Sequence, residues 1–145
     1  VLENLLKDEI NQQPPGDGAR ILCLTPAGER HRLGLLMAAA LMRQQGLHCL
    51  LLQDSLPLAE VPQLAVQLRA EAVALSFSQH FAASRAMRDL VRLREKLDSR
   101  IKLIAGGQAL DHAPSLPGIR ICTDLKQVSA LCRREFGPVS SRPLD

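Results

Sequence analysis

The feature that most constrains the fold is an alternation of short apolar runs with helical patterns. The strand-like runs occupy residues 21–24, 48–53, 72–77, 101–105 and 119–123. Helical patterns lie between them at 31–45, 59–70, 83–97 and 124–135, with an uncertain stretch near 109–114. Most strand runs are apolar at consecutive positions, which is typical of parallel strands covered on both faces. The alternation predicts an α/β fold, a flavodoxin-like or Rossmann-like doubly wound five-stranded parallel sheet in three αβα layers, with strand order 2-1-3-4-5.

The length of 145 residues fits one domain with a sizeable core. Residues 1–10 have the leucine spacing of a helix, and residues 11–18 contain two prolines and two glycines that break it. We therefore expect residues 1–18 to be the end of an upstream helix and a linker. The α/β domain is expected over 19–136 and a loose C-terminal tail over 137–145. Since the chain begins with Val and has no signal-peptide pattern, we expect a piece of a longer protein.

Composition excludes several classes of function. A net charge of +3 is too mild to predict nucleic-acid binding by this piece, and three Phe without Trp or Tyr give no platform for base stacking. No apolar run approaches the roughly 18 residues of a membrane span, so no membrane partner is expected. The four cysteines form no CxxC pair and three lie in strand-like runs, which favours buried thiols in a reducing, cytoplasmic compartment over a metal site or disulfides.

The loops after the predicted strands hold the candidate functional residues, because ligands of doubly wound sheets bind beyond the carboxyl ends of the strands. In the first loop, Glu29 lies two residues before His31, so its carboxylate can fix the imidazole tautomer and leave the other nitrogen for a metal. Gly34 allows a bulky group to approach the first helical turn. The candidate cofactor-binding residues are Thr25, Glu29, His31, Gly34, Ser76, Ser78, Gly106, Gly107, Gln108 and Thr123.

Three of these loops together resemble the cobalamin-binding domain. The D-x-H-x-x-G motif of that family corresponds to residues 29–34, its S-x-L element to Ser-Phe-Ser at 76–78, and its glycine pair to 106–107. The resemblance covers about residues 20–135 and implies cobalamin as cofactor, as adenosylcobalamin or another B12 form. It also implies that His31 is the lower axial cobalt ligand, displacing the cofactor's own base. The nucleotide tail would lie beside the sheet, lined by Ser76, Ser78, Gly106 and Gly107.

One departure from the motif points to a subgroup. Corrinoid methyltransferase and mutase domains usually follow the histidine with Asp and a Gly-Lys-Asn-like stretch, and residues 32–36 contain neither. The pattern is more similar to the C-terminal sensor of light-responsive MerR-family regulators of the CarH/LitR type. That resemblance implies a sensory domain without its own catalytic activity, a homo-oligomer, and DNA contact only through a helix-turn-helix domain absent from this sequence. Light would break the cobalt–carbon bond, alter oligomerisation and release DNA.

Two alternative functions stay open. The chain could be the corrinoid-carrying subunit of a methyltransferase or mutase, in which cobalt does the chemistry. It could also be a domain that kept the fold, lost cobalamin and serves as a dimerisation or effector module, since fold does not imply function. No nucleophile–base pair or phosphate-binding glycine motif favours catalysis by the chain alone.

Several residues also have structural interpretations. Glu29 could be a surface carboxylate, Ser78 could mark a more polar or a degenerate pocket, and the glycine pair could be only a tight turn. His48, His80 and His112 are expected at the surface or in the core without a ligand role. The helix at 31–45 is apolar all round, which predicts packing against another domain or a second copy.

Overall fold

The structure is a computed structural model that describes residues 18–52 and 56–137. Five strands and four α-helices alternate along these residues. They are β1 (Arg20–Leu24), α1 (Leu33–Gln44), β2 (His48–Leu51), α2 (Val61–Gln67), β3 (Ala72–Ser76), α3 (Ala83–Lys96), β4 (Lys102–Gly106), β5 (Ile119–Cys122) and α4 (Lys126–Phe136). Except for Gly18 and Gly137, the predicted upstream linker and C-terminal tail lie outside the described residues. No helix within the described ranges has the length and apolarity needed to span a membrane.

The five strands form one sheet in which every neighbouring pair is parallel. The order is β2-β1-β3-β4-β5, so the predicted flavodoxin-like topology is confirmed. Cys23 of β1 lies in register with Leu51 on one side and Ala74 on the other. Because the chain winds outward in both directions from β1 and β3, the helices that follow these two strands lie on opposite faces of the sheet.

Helices cover both faces of the sheet, as the predicted three-layer arrangement requires. On one face α2 and α3 pack against the larger strand side chains, among them Leu22, Val73 and Leu75. On the other face α1 and α4 pack against smaller ones, among them Cys23, Ala72 and Ala74. Because the β3 residues that face α1 and α4 are alanines, space is left between the sheet and these two helices.

The predicted element boundaries differ from the structure by a few residues. The helix expected over 59–70 is a one-turn 3-10 helix at Leu58–Glu60 followed by α2, which ends at Gln67. Arg69 then has a φ of 56°, a left-handed conformation that a continuing helix does not allow. The uncertain stretch near 109–114 contains only a 3-10 turn at Gln108–Leu110.

The apolar helix α1 has more than one neighbour. Leu35, Leu36 and Ala39 are buried, while Met37 is 38% exposed. Met37 and Ala38 line a cavity beside the sheet. This cavity accounts for part of the apolar surface that the sequence assigned to a partner, and packing against another domain or a second copy stays a prediction.

Candidate functional site

A buried carboxylate lies at the centre of the site. Glu29 follows a turn closed by its own N–H to the Pro26 carbonyl (3.0 Å) and is only 6% exposed. Its Oε1 accepts from the His31 backbone N–H (2.9 Å) and the Ser78 hydroxyl (2.9 Å), and its Oε2 accepts from the Ser78 backbone N–H (2.7 Å). The interpretation of Glu29 as a surface carboxylate is therefore wrong.

The hydrogen bonds also set the charge of this group. Burial raises the pKa of Glu29, but the backbone N–H groups of His31 and Ser78, with the side-chain donors, outweigh burial and bring the pKa below its ordinary value. Glu29 is consequently ionised at neutral pH and acts only as a hydrogen-bond acceptor.

His31 presents its imidazole beside this carboxylate. It lies two residues before α1, with a side chain 56% exposed, and its Nδ1 is 3.3 Å from Glu29 Oε1. Because a carboxylate only accepts, the Nδ1 proton points to Glu29, and Nε2 keeps the free lone pair of the neutral ring. The arrangement predicted between Glu29 and His31 is present, and it leaves one nitrogen for a metal.

A second histidine, which sequence reasoning left without a role, contacts the first. The rings of His31 and His80 are stacked, with centroids 4.6 Å apart and planes 28° from parallel. His80 lies 49 residues further along the chain, so no local spacing could have predicted the contact. The only available signal was its position on the loop after β3, next to the loop after β1.

An apolar cavity of about 550 Å³ opens beside His31, between α1 and α4. Met42, Ala74, Ile104 and Leu131 line its interior, and the loops after the strands form its mouth. Eight of the ten predicted cofactor-binding residues line it: His31, Gly34, Ser76, Ser78, Gly106, Gly107, Gln108 and Thr123.

The remaining two predicted residues lie outside the cavity lining. The Glu29 carboxylate contacts the backbone N–H and Nδ1 of His31. Thr25 is fully buried at the end of β1, and its hydroxyl has no hydrogen-bond partner among the described residues. The role predicted for Thr25 at the cofactor thus has no counterpart in this cavity.

Gly107 and Gly34, both at the cavity mouth, differ in whether the fold needs a glycine there. Gly107 has a φ of 108°, and a side chain there would collide with the Phe77 carbonyl, so the turn after β4 requires glycine at this position. A Cβ on Gly34 would instead lie 3.5 Å from Ser76 Oγ, which is ordinary contact. The protein itself tolerates a side chain at Gly34, and what the glycine provides is open space at the cavity mouth.

The donor set indicates which kind of metal the site fits. Within residues 18–52 and 56–137, no three His, Cys, Asp or Glu side chains come together to hold an ion. A single imidazole beside a large apolar cavity does not hold a bare metal ion. It fits a metal whose other ligands come from a bound macrocycle with an extended organic tail.

Three solved structures similar to this one are cobalamin or corrinoid proteins. They include a cobalamin-binding protein from Desulfitobacterium hafniense DCB-2, with a TM-score of 0.62 and 19% identity over 81% of this chain and 59% of that chain. The methanol:cobalamin methyltransferase complex MtaBC from Methanosarcina barkeri has a TM-score of 0.68 and 16% identity over 94% of this chain and 52% of that one. The monomethylamine corrinoid protein of Methanosarcina barkeri has a TM-score of 0.62 and 16% identity over 92% and 63%.

At these identities the likeness shows the fold alone. The chain spans between 52% and 63% of the length of these three structures. Comparison with curated protein sequences gives no match.

A family model for the B12 binding domain matches residues 19–122. This stretch is well over half of the chain, and it contains the Glu29–His31 loop, Ser76, Ser78 and the glycine pair. The prediction of cobalamin as cofactor is confirmed by the match, and the chain belongs to the B12-binding domain family.

Proposed function

We propose that this domain binds cobalamin with His31 as the lower axial ligand of cobalt and with the nucleotide tail in the cavity between α1 and α4. The observation that carries the proposal is the pairing of His31 with the buried Glu29 at the mouth of an apolar cavity. The cavity volume, about 550 Å³, falls within the range of small-molecule sites.

Each residue has a distinct part in this proposal. His31 Nε2 would hold the metal, and Glu29 would keep the proton on Nδ1 and stabilise the ligating ring electrostatically. Ser76, Gly106 and Gly107, with Ser78, would line the path of the tail. Adenosylcobalamin bound there would supply a cobalt–carbon bond, whose cleavage is the chemistry available to the complex.

An absorbance measurement tests the proposal. The chain is incubated with adenosylcobalamin and desalted, and the visible spectrum is compared with that of His31→Ala. We expect retained corrinoid in the parent chain and a spectrum shifted to the form without histidine ligation in the variant. A folded chain that elutes without corrinoid would instead support the alternative of a domain that has lost the cofactor. An unchanged spectrum in His31→Ala would refute the lower-ligand role.

For the whole protein, we propose a sensory domain of a cytoplasmic MerR-type transcriptional regulator, responsive to light through adenosylcobalamin and active as a homo-oligomer. The support is the sequence after His31, since residues 32–36 lack the Asp and Lys-Asn pattern usual in the enzyme domains. The same proposal includes the predicted domain boundaries. In it, residues 1–18 connect an upstream helical and DNA-binding part to the domain at 19–136.

The second candidate is a corrinoid-carrying subunit of a methyltransferase. Its support is the likeness to the methanol:cobalamin methyltransferase complex and to the monomethylamine corrinoid protein. The full-length protein separates the two functions. A regulator retards promoter DNA in a mobility-shift assay and releases it on illumination with adenosylcobalamin. A carrier subunit leaves DNA unshifted and becomes methylated on cobalt when a methyl donor and its transferase are added.

A further inference from the structure

We propose that His80 is a positioning residue for His31, holding the imidazole by its face so that Nε2 stays directed to the incoming metal. The inference rests on the proposed role of His31 as the lower ligand. Its basis is the stacking of the two rings, with centroids 4.6 Å apart.

Glu29 alone leaves the His31 ring incompletely fixed. The contact between Nδ1 and Oε1 is 3.3 Å long and lies at one edge of a ring whose side chain is 56% exposed. A hydrogen bond of that length restrains one atom and allows the ring plane to tilt around it. The stacked His80 ring restrains the plane itself, because tilting would separate the two faces.

His80 can do this because the turn that carries it is firmly anchored. Its backbone N–H donates to the Ser78 hydroxyl (3.2 Å), and the Phe81 N–H donates to the Ser78 carbonyl (3.0 Å). Phe81 is 8% exposed and packs edge-on against Phe77, with ring centroids 5.1 Å apart. The turn after β3 is thus tied to the core one residue beyond His80.

The Ser78 hydroxyl joins both restraints. It donates to Glu29 Oε1 (2.9 Å) while it accepts from the His80 N–H. The loop after β3 therefore holds His31 at two places, at the ring edge through Glu29 and on the ring face through His80. A ligand ring fixed before the metal arrives loses less conformational freedom on binding, which strengthens coordination.

Three variants of the chain test this role. His80→Ala removes the stacked ring, His80→Phe keeps an aromatic face, and His112→Ala removes an exposed histidine elsewhere as a matched control. The first readout is the mobility of the His31 imidazole in the protein without corrinoid, measured by NMR relaxation. The second is cobalamin affinity together with the fraction of bound corrinoid that shows the histidine-ligated spectrum. Melting temperatures establish that each variant is folded.

We expect His80→Ala to increase the mobility of the His31 ring and to lower cobalamin affinity and the histidine-ligated fraction by roughly two- to tenfold, the range for one ring pair. His80→Phe should restore most of both, and His112→Ala should match the parent. Parent-like values in His80→Ala would overturn the proposal, as would a His80→Phe variant as impaired as His80→Ala. If His31→Ala binds cobalamin with an unchanged spectrum, the lower-ligand proposal fails instead, and the mobility of the His31 ring without corrinoid still decides whether His80 holds the ring.

Discussion

Among individual residues, two of the departures from the family motif bond to each other. Glu29 stands where the motif has Asp, and Ser78 stands where it has an aliphatic residue. The extra methylene of Glu29 extends its carboxylate, and both oxygens accept from Ser78, one from the hydroxyl and one from the backbone N–H. A leucine at position 78 would provide no hydroxyl for Oε1. The hydroxyl at position 78 thus donates to the longer carboxylate at position 29.

The charge of Glu29 makes a pH-dependent contribution to stability. Because its pKa is below the ordinary value of 4.5, the contribution is complete above that value and is lost as pH falls through the folded-state pKa. Glu29→Gln should cost about 1–3 kcal/mol at pH 7, since its amide group cannot accept from all of the same donors. Urea unfolding at pH 7 and pH 3 measures this, and the difference between parent and variant should shrink at pH 3. An equal difference at both pH values would contradict the assignment.

Among the secondary-structure elements, the apolar runs predicted the strands and the parallel sheet. Mostly apolar runs of four to six residues are too short for a buried helix and fit a strand covered on both faces. The helix termini were less predictable: α2 ends early because Arg69, rather than a glycine, adopts the left-handed conformation. The cavity was predictable in principle. Strand β3 alternates Ala72 and Ala74 on one face with Val73 and Leu75 on the other, a pattern that indicates space beside the smaller residues.

The sequence predicted those parts of the candidate site that lie within a single loop, but not the contacts between loops. The motif gave His31 and Glu29 because they are two residues apart, whereas the bonds from Ser78 and the stack with His80 join positions 49 residues apart. Such contacts depend on how β1 and β3 lie side by side, which the spacing within either loop does not contain. Thr25 was included because it follows β1, but its side chain is buried in the protein interior.

The proposed place of the nucleotide tail, in the cavity between α1 and α4, can be tested by filling this cavity with a larger side chain. Ala38 lines the cavity from α1, whereas Ala40 on the same helix does not. Ala38→Phe should weaken binding of cobalamin at least tenfold, because the ring would occupy the space proposed for the nucleotide tail. Binding of cobinamide, which lacks the tail, should change little. Equilibrium titration with both corrinoids measures this, with Ala40→Phe as the control. Equal losses for both corrinoids would mean that the tail lies elsewhere.

Over the whole domain, the candidate site draws on most of the sheet. Loops after β1, β3, β4 and β5 and the two helices of one face all contribute to the cavity lining. A ligand bound there would contact all of these elements at once. Binding should therefore stabilise the fold as one unit, and each part of the cofactor should add its own share.

The melting temperature of the domain should rise when a corrinoid binds. A ligand that binds only the folded state adds about 2.7 kcal/mol at 100 times its dissociation constant, which corresponds to about 5–11 °C in melting temperature for a domain near this size. All samples are compared at one corrinoid concentration, at which cobalamin raises the melting temperature of the parent by that amount. Cobinamide should raise the melting temperature of the parent less, because it leaves the cavity between α1 and α4 empty. His31→Ala should reduce the shift with both corrinoids, whereas Ala38→Phe should reduce it only with cobalamin. Differential scanning calorimetry of the three chains measures these shifts. If both variants reduce the two shifts in the same proportion, metal ligation and tail binding are not separate contributions, and the division of the site between the His31 loop and the cavity is wrong.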